Sequence, residues 1–170
     1  MKRVVIIGCP GSGKSTFARK LRDITGLPLY HLDMLYWNKD KTTVSKQLFH
    51  ERLDKVLARD LWIIDGNYAA TMEYRIAFCD TVFFLDLSTE QCLAGVRERK
   101  GKARSDMPWI EDANSTDREF EDFINSYNSQ SRPKVLALLQ GCNSKNVIIF
   151  SSREATEEYL KALTEKGAEQ

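Results

Sequence analysis

Residues 8–15 read GCPGSGKS, the spacing Gly-x-x-x-x-Gly-Lys-Ser, and stand between the branched apolar run VVII at 4–7 and a stretch with helical spacing. Strand, loop and helix in that order form the context in which this pattern cradles a phosphate chain. Gly8, Gly11 and Gly13 let the backbone turn successive N–H groups inward, and Cys9, Pro10 and Ser12 complete the loop. The helix that continues through Thr16 adds the partial positive charge of its N-terminus. Lys14 would reach the β- and γ-phosphates, and the Ser15 hydroxyl would hold Mg²⁺. A glycine-rich turn beside a solvated lysine is the competing explanation, and it leaves the full spacing unaccounted for.

Three predicted strands end on acids: YHLD at Asp33, LWIID at Asp65 and VFFLD at Asp86. Ligands of open parallel sheets lie beyond the carboxyl ends of the strands, so these ends outweigh other positions. Asp65 follows apolar residues and precedes Gly66, the placement of an acid that orients the water shell of Mg²⁺, with turn capping as the alternative. Asp33 suits either a base for an acceptor hydroxyl or a cap for the following loop. Asp86, just before Ser88 and Thr89 at a helix start, reads as a cap or strand-end residue. His31 alternates with buried positions and reads as structural, while Tyr36 and Trp37 offer a stacking surface for a flat substrate or a satellite of the core.

The segment RERKGKARSD at 97–106 sets Arg97, Arg99, Lys100, Lys102 and Arg104 against Glu98 and Asp106. A solvated helix end would complement the helix dipole in this way. With a phosphate loop in the same chain, a mobile lid over about residues 97–115, closing on the transferring phosphoryl group, is the better account.

Something must hold these groups together. Short apolar runs at 4–7, 27–32, 61–64, 81–85 and 146–150 have the length of strands buried on both faces. Helical stripes separate them: Phe17, Leu21 and Ile24; Leu48, Phe49, Leu53, Val56 and Leu57; a weaker pair at Leu93 and Val96; Phe120, Phe123, Ile124 and Tyr127; and Tyr159, Leu160 and Leu163. Gly26 stops the first helix, and Pro133 breaks the fourth before 135–139 resumes it. Strands alternating with helices predict a parallel sheet covered on both faces.

At 170 residues, 42% of them apolar, the chain fits one domain over 1–170. A net charge of +1 gives no reason to expect strong nucleic-acid or membrane binding. Cys9, Cys79, Cys92 and Cys142 are far apart, against a zinc site or a disulfide framework. The first apolar run is too short for a signal peptide, and none is long enough to span a bilayer, so a soluble, cytoplasmic protein is expected.

GCPGSGKSTFARKL, YHLDMLYWN, LWIIDGNYAATMEYRIAFCDTVFFLDLS and the Arg132-Pro133 pair together resemble the adenylate-kinase-like P-loop proteins. More closely, they resemble the bacterial family named for DNA topology modulation, the FlaR-like proteins. That resemblance implies a three-layer α/β/α fold with a five-stranded parallel sheet in the order 2-3-1-4-5, ATP and Mg²⁺ as ligands, and a lid after the fourth strand. It further implies substrate-side roles for Asp65, Gly66 and Arg75, and makes Arg99 and Arg104 lid arginines, with Arg104-Ser105-Asp106 similar to the Arg-x-Asp of such lids. Two positions depart from the nucleotide-kinase pattern: Asn67-Tyr68 replaces Phe-Pro, and Gly95 stands where an arginine often begins the lid helix. The function expected is an ATP-dependent kinase of a small-molecule acceptor, catalysed through Lys14, Asp33, Arg99 and Arg104. A regulatory nucleotide-binding protein acting on DNA or on a protein partner is the rival.

Overall fold

The first apolar run becomes β1 (Arg3–Gly8), with Val4 and Ile6 in one core and Val5 and Ile7 in the other, all four wholly buried. A computed structural model describes residues 1–102, 104, 106–109 and 118–168. The remaining elements are α1 (Lys14–Thr25), β2 (Leu29–His31), α2 (Leu32–Tyr36), α3 (Lys46–Leu57), β3 (Trp62–Asp65), α4 (Ala69–Phe78) and β4 (Thr81–Leu85). After these come α5 (Thr89–Arg99), α6 (Arg118–Gln130), α7 (Arg132–Gln140), β5 (Asn146–Phe150) and α8 (Arg153–Ala168).

All strand pairs are parallel and the sheet order is β2-β3-β1-β4-β5, as expected. Because strand side chains alternate, each strand feeds both faces of the sheet. Helices α1, α6 and α8 cover one face through Phe17, Leu21, Ile124, Tyr127 and Leu160, and α3, α4 and α7 cover the other through Phe49, Leu53, Ile76, Val135 and Leu139. Phe17 packs edge-on against Phe83 at 5.0 Å between ring centroids, anchoring the helix behind the phosphate loop to the sheet. That helix ends where Gly26, at φ 70°, returns its N–H to the Arg22 carbonyl at 2.7 Å.

Register brings the acids together. Ile6 of β1 stands beside Asp65 of β3, and Asp65 beside His31 of β2, so the ends of three adjacent strands open at the loop that follows β1. Among the described residues no helix is long and apolar enough to cross a membrane, and all four cysteines are free thiols.

Candidate active site

The loop between β1 and α1 holds Gly11 at φ 81° and Gly13 at φ 98°, values that side chains disfavour. A methyl group on Gly11 would run into the Cys92 carbonyl of α5, whereas one on Gly13 would meet nothing within 4 Å. The two glycines therefore do different work: Gly11 permits close packing on α5, and Gly13 lines open space. Phe17 N–H bonds to Gly13 O at 2.9 Å, but among the described residues the amides of Lys14, Ser15 and Thr16 find no acceptor. Those are the orphan donors of a helix start, available to an anion. Lys14 Nζ donates to Cys9 O at 2.9 Å, and burial lowers its pKa against the opposing charge of Asp65. The Cys9 thiol, pushed up by the neighbouring Cys92 and by burial, lies well above its ordinary range, so it stays protonated.

Asp65 is 4% exposed and accepts one bond at Oδ2, from His31 Nδ1 at 2.8 Å, while among the described residues its buried Oδ1 has no partner. Asp33, half-buried just beyond β2, accepts a hydrogen bond at Oδ1 from the Tyr68 hydroxyl at 2.7 Å. Burial raises the Asp33 pKa, with the Tyr68 bond and Lys14 opposing and the neighbouring Asp65 adding to it. The Tyr68 phenol is pushed up in turn by burial and by Asp33, so it remains a donor.

Asn67 and Tyr68, which replace the Phe-Pro of nucleotide kinases, both build the site. Asn67 Oδ1 accepts the Gly8 N–H at 3.1 Å, tying the phosphate loop to the end of β3. Tyr68 sits at φ 30°, uncommon for a bulky residue. Arg75 clamps that turn. Its guanidinium donates to the carbonyls of Gly66 at 3.0 Å, Asn67 at 2.5 Å and Tyr68 at 3.4 Å. It is wholly buried, and desolvation brings its pKa down to about 10, which leaves it charged at neutral pH. In this structure its donors face the turn and hold the backbone of residues 66–68. Gly66 is needed for space, since a side chain at φ 143° would meet Leu32.

The cationic segment contributes Arg99 and Arg104 to the site. Residues 103, 105 and 110–117 of the expected lid, Ser105 included, lie outside the described residues. Asp106 is 2% exposed and accepts hydrogen bonds at both oxygens from Arg104, with Arg19 Nη1 3.6 Å from Oδ1. Burial would raise its pKa, yet Arg104 and Ser15 outweigh that and hold the carboxylate well below its usual range. Gly95 is small for a reason: any side chain would collide with Gly11 O and the Arg153 guanidinium. Arg153, which carries no motif signal, donates to Gly11 O at 3.2 Å and Gln91 O at 3.4 Å. Asp86 does not cap α5. Ser88 does so with Gln91 in a capping box, and Asp86 takes a bidentate pair from Arg132 at 2.7 and 2.8 Å.

Two cavities meet at this point. One, of about 430 Å³, is lined by Gly11, Gly13 and Thr16 of the loop and by the cations Arg19, Lys102 and Arg153. The other, of about 700 Å³, is lined by Asp33, Asp65, Asn67 and Tyr68, with Trp37 and Trp109 as aromatic walls. Lys14, Ser15, Arg99 and Arg104 line both. The residues fit a magnesium–nucleotide pair. Among the described residues no group of three or more ligating side chains stands together, as a self-sufficient metal cage would require. The Ser15 hydroxyl and the orphaned Asp65 Oδ1 instead suit a cation that keeps water and phosphate in its shell.

No family model matches the chain, and no curated protein matches it. Among solved structures, shikimate kinase from Acinetobacter baumannii in complex with shikimate is similar to it at a TM-score of 0.59 and 15% sequence identity. The match covers 98% of this chain and 94% of that one. This likeness shows the fold, a five-stranded parallel sheet in the order 2-3-1-4-5 flanked by helices.

Proposed function

We propose that the chain is an ATP-dependent kinase, which binds Mg-ATP on residues 8–16 and transfers its γ-phosphoryl group to a small molecule in the aromatic cavity. One observation carries this reading: Lys14, Ser15, Arg99 and Arg104 line both cavities, so the point where a phosphoryl group passes is surrounded by the charges its transition state needs. Bound Mg²⁺ supplies further charge neutralisation on the phosphates. Ser15 and, through water, Asp65 would hold it. Lys14 and the amides of α1 bind the phosphates, and Arg99 and Arg104 offset charge on the transferring oxygens. Asp33 takes the acceptor's proton, its carboxylate steadied by Tyr68.

The narrower resemblance to the FlaR-like proteins supports the same reading through its shared loop and middle block. A small-molecule partner is favoured over DNA, because the cations gather inside the cleft of a protein whose net charge is +1. The test is ADP release from Mg-ATP with candidate acceptors. Acceptor-dependent release that Lys14→Ala abolishes is expected, and release indifferent to both would overturn the proposal.

A further inference from the structure

We infer that the acceptor is a flat heteroaromatic alcohol of nucleoside size, phosphorylated on a hydroxyl. The inference rests on the kinase reading and adds the chemistry of its second substrate. Two observations carry it, each from a different part of the cavity.

The first is a base. Asp33 of α2, just beyond β2, and Asp65 at the end of β3 both line the acceptor cavity, together with the cations Lys14, Lys41, Arg99, Lys100 and Arg104. A phosphate monoester, with a second pKa near ~6, is already a dianionic nucleophile at neutral pH and needs no base. A hydroxyl must lose its proton as it attacks, and Asp33, which lines the cavity and accepts from Tyr68 at Oδ1, is the base that takes it. In balanced form, the acceptor O–H proton moves to Asp33, the acceptor oxygen bonds to the γ-phosphorus, and the bridging P–O bond breaks with its electron pair leaving on ADP.

The second is the wall. Trp37 and Trp109 meet edge-on at 5.3 Å, Tyr36 stands 5.4 Å from Trp37 and 5.1 Å from Tyr68, and Trp37, Tyr68, Trp109 and Phe120 all line the cavity. Aromatic faces beside a few polar groups select a flat ring over a sugar or a polyol. At about 700 Å³ the cavity lies in the range of small-ligand pockets, with room for a base and its sugar.

The experiment measures Mg-ATP-dependent phosphorylation by mass spectrometry across three groups of probes. These are four ribonucleosides with a hydroxymethylpyridine, the corresponding nucleoside 5′-monophosphates, and ribose, glycerol and shikimate. Binding is read in parallel from quenching of tryptophan fluorescence, since Trp62 is wholly buried and Trp37 and Trp109 face the cavity. The expected result is transfer to a hydroxyl of at least one member of the first group, with Trp37→Ala raising the acceptor KM about tenfold, leaving the ATP KM unchanged, and Trp37→Phe restoring most of it. Transfer to the monophosphates on phosphorus-bound oxygen, or to ribose, glycerol or shikimate alone, would overturn the acceptor assignment while leaving the kinase standing. Quenching by nucleosides with no transfer to any probe would overturn the kinase reading, and the acceptor assignment with it. Neither quenching nor transfer in the first group would also reject the assignment.

Discussion

The two cavities were assembled in different ways. The phosphate-loop side centres on one contiguous stretch, residues 11–16, whose helix-start donors find no acceptor among the described residues, with Arg19, Arg99, Lys102, Arg104 and Arg153 around it. The acceptor side draws Asp33, Asp65, Tyr68 and Trp109 from separate connections, and what brings them together is the register of β2 on β3 and the Arg75 clamp. A locally encoded site tolerates changes elsewhere, whereas a site assembled by topology depends on scaffold residues that never touch substrate.

The largest effect that would test this contrast is at the shared boundary. Lys14→Ala should lower turnover about 10³-fold, the scale of removing one preorganised charge from a transition state. Stability should barely change, since Lys14 Nζ makes one hydrogen bond, to Cys9 O. Chemical denaturation beside steady-state kinetics would show whether the two separate.

Asp33→Asn comes next, with turnover down about 10²-fold and Mg-ATP affinity by calorimetry unchanged. It also has a pH signature. Burial raises the native pKa of Asp33 above the value of 3.8, so between that value and the native pKa the folded state holds a proton that the unfolded state releases. Stability therefore declines as pH rises through that window, and Asp33→Asn should remove this part of the decline. Thermal unfolding of both proteins from pH 3 to 8, at about one-unit steps, measures it.

Much of this was legible beforehand, and the reasons for the rest are physical. The loop, the strand order and the acids at the strand ends lie in short stretches with strong local patterns. Helix α2, five residues from Leu32 to Tyr36, is too short to show a period, and it takes Leu32 from the predicted second strand. Helix α4 escaped because AATMEYRIAF buries a polar Thr71 and a charged Arg75 beside Met72 and Ile76, which blurs its stripe. Arg153 and the Arg132–Asp86 pair act across long separations and leave no spacing to read. Asn67 and Tyr68 were visible only as departures from a pattern, although each makes a bond that shapes the site.

Two glycines sharpen the comparison at smaller scale. Gly11→Ala should destabilise the fold by about 1–3 kcal/mol, because the new methyl group meets backbone of α5. Gly13→Ala should cost about 1 kcal/mol, for its left-handed conformation alone. Equal losses in urea melts would mean that α5 does not press on the loop as described.

The smallest effect belongs to Tyr68→Phe. Losing the hydroxyl removes the bond that favours the Asp33 carboxylate, so the pKa of the base rises further. Activity should fall only a few-fold near neutrality, by ~1 kcal/mol, the net worth of one hydrogen bond. The acid limb of the rate profile should move to higher pH, and an unmoved limb would detach Tyr68 from the base.

If one set of residues faces both substrates at once, as proposed, the phosphoryl group passes directly from one cavity to the other. Initial rates over a matrix of Mg-ATP and acceptor concentrations, using whichever alcohol of the probe set is phosphorylated, should give intersecting double-reciprocal lines, the pattern of a ternary complex. Parallel lines, the mark of a covalent phosphoenzyme formed before acceptor binds, would rule out direct transfer.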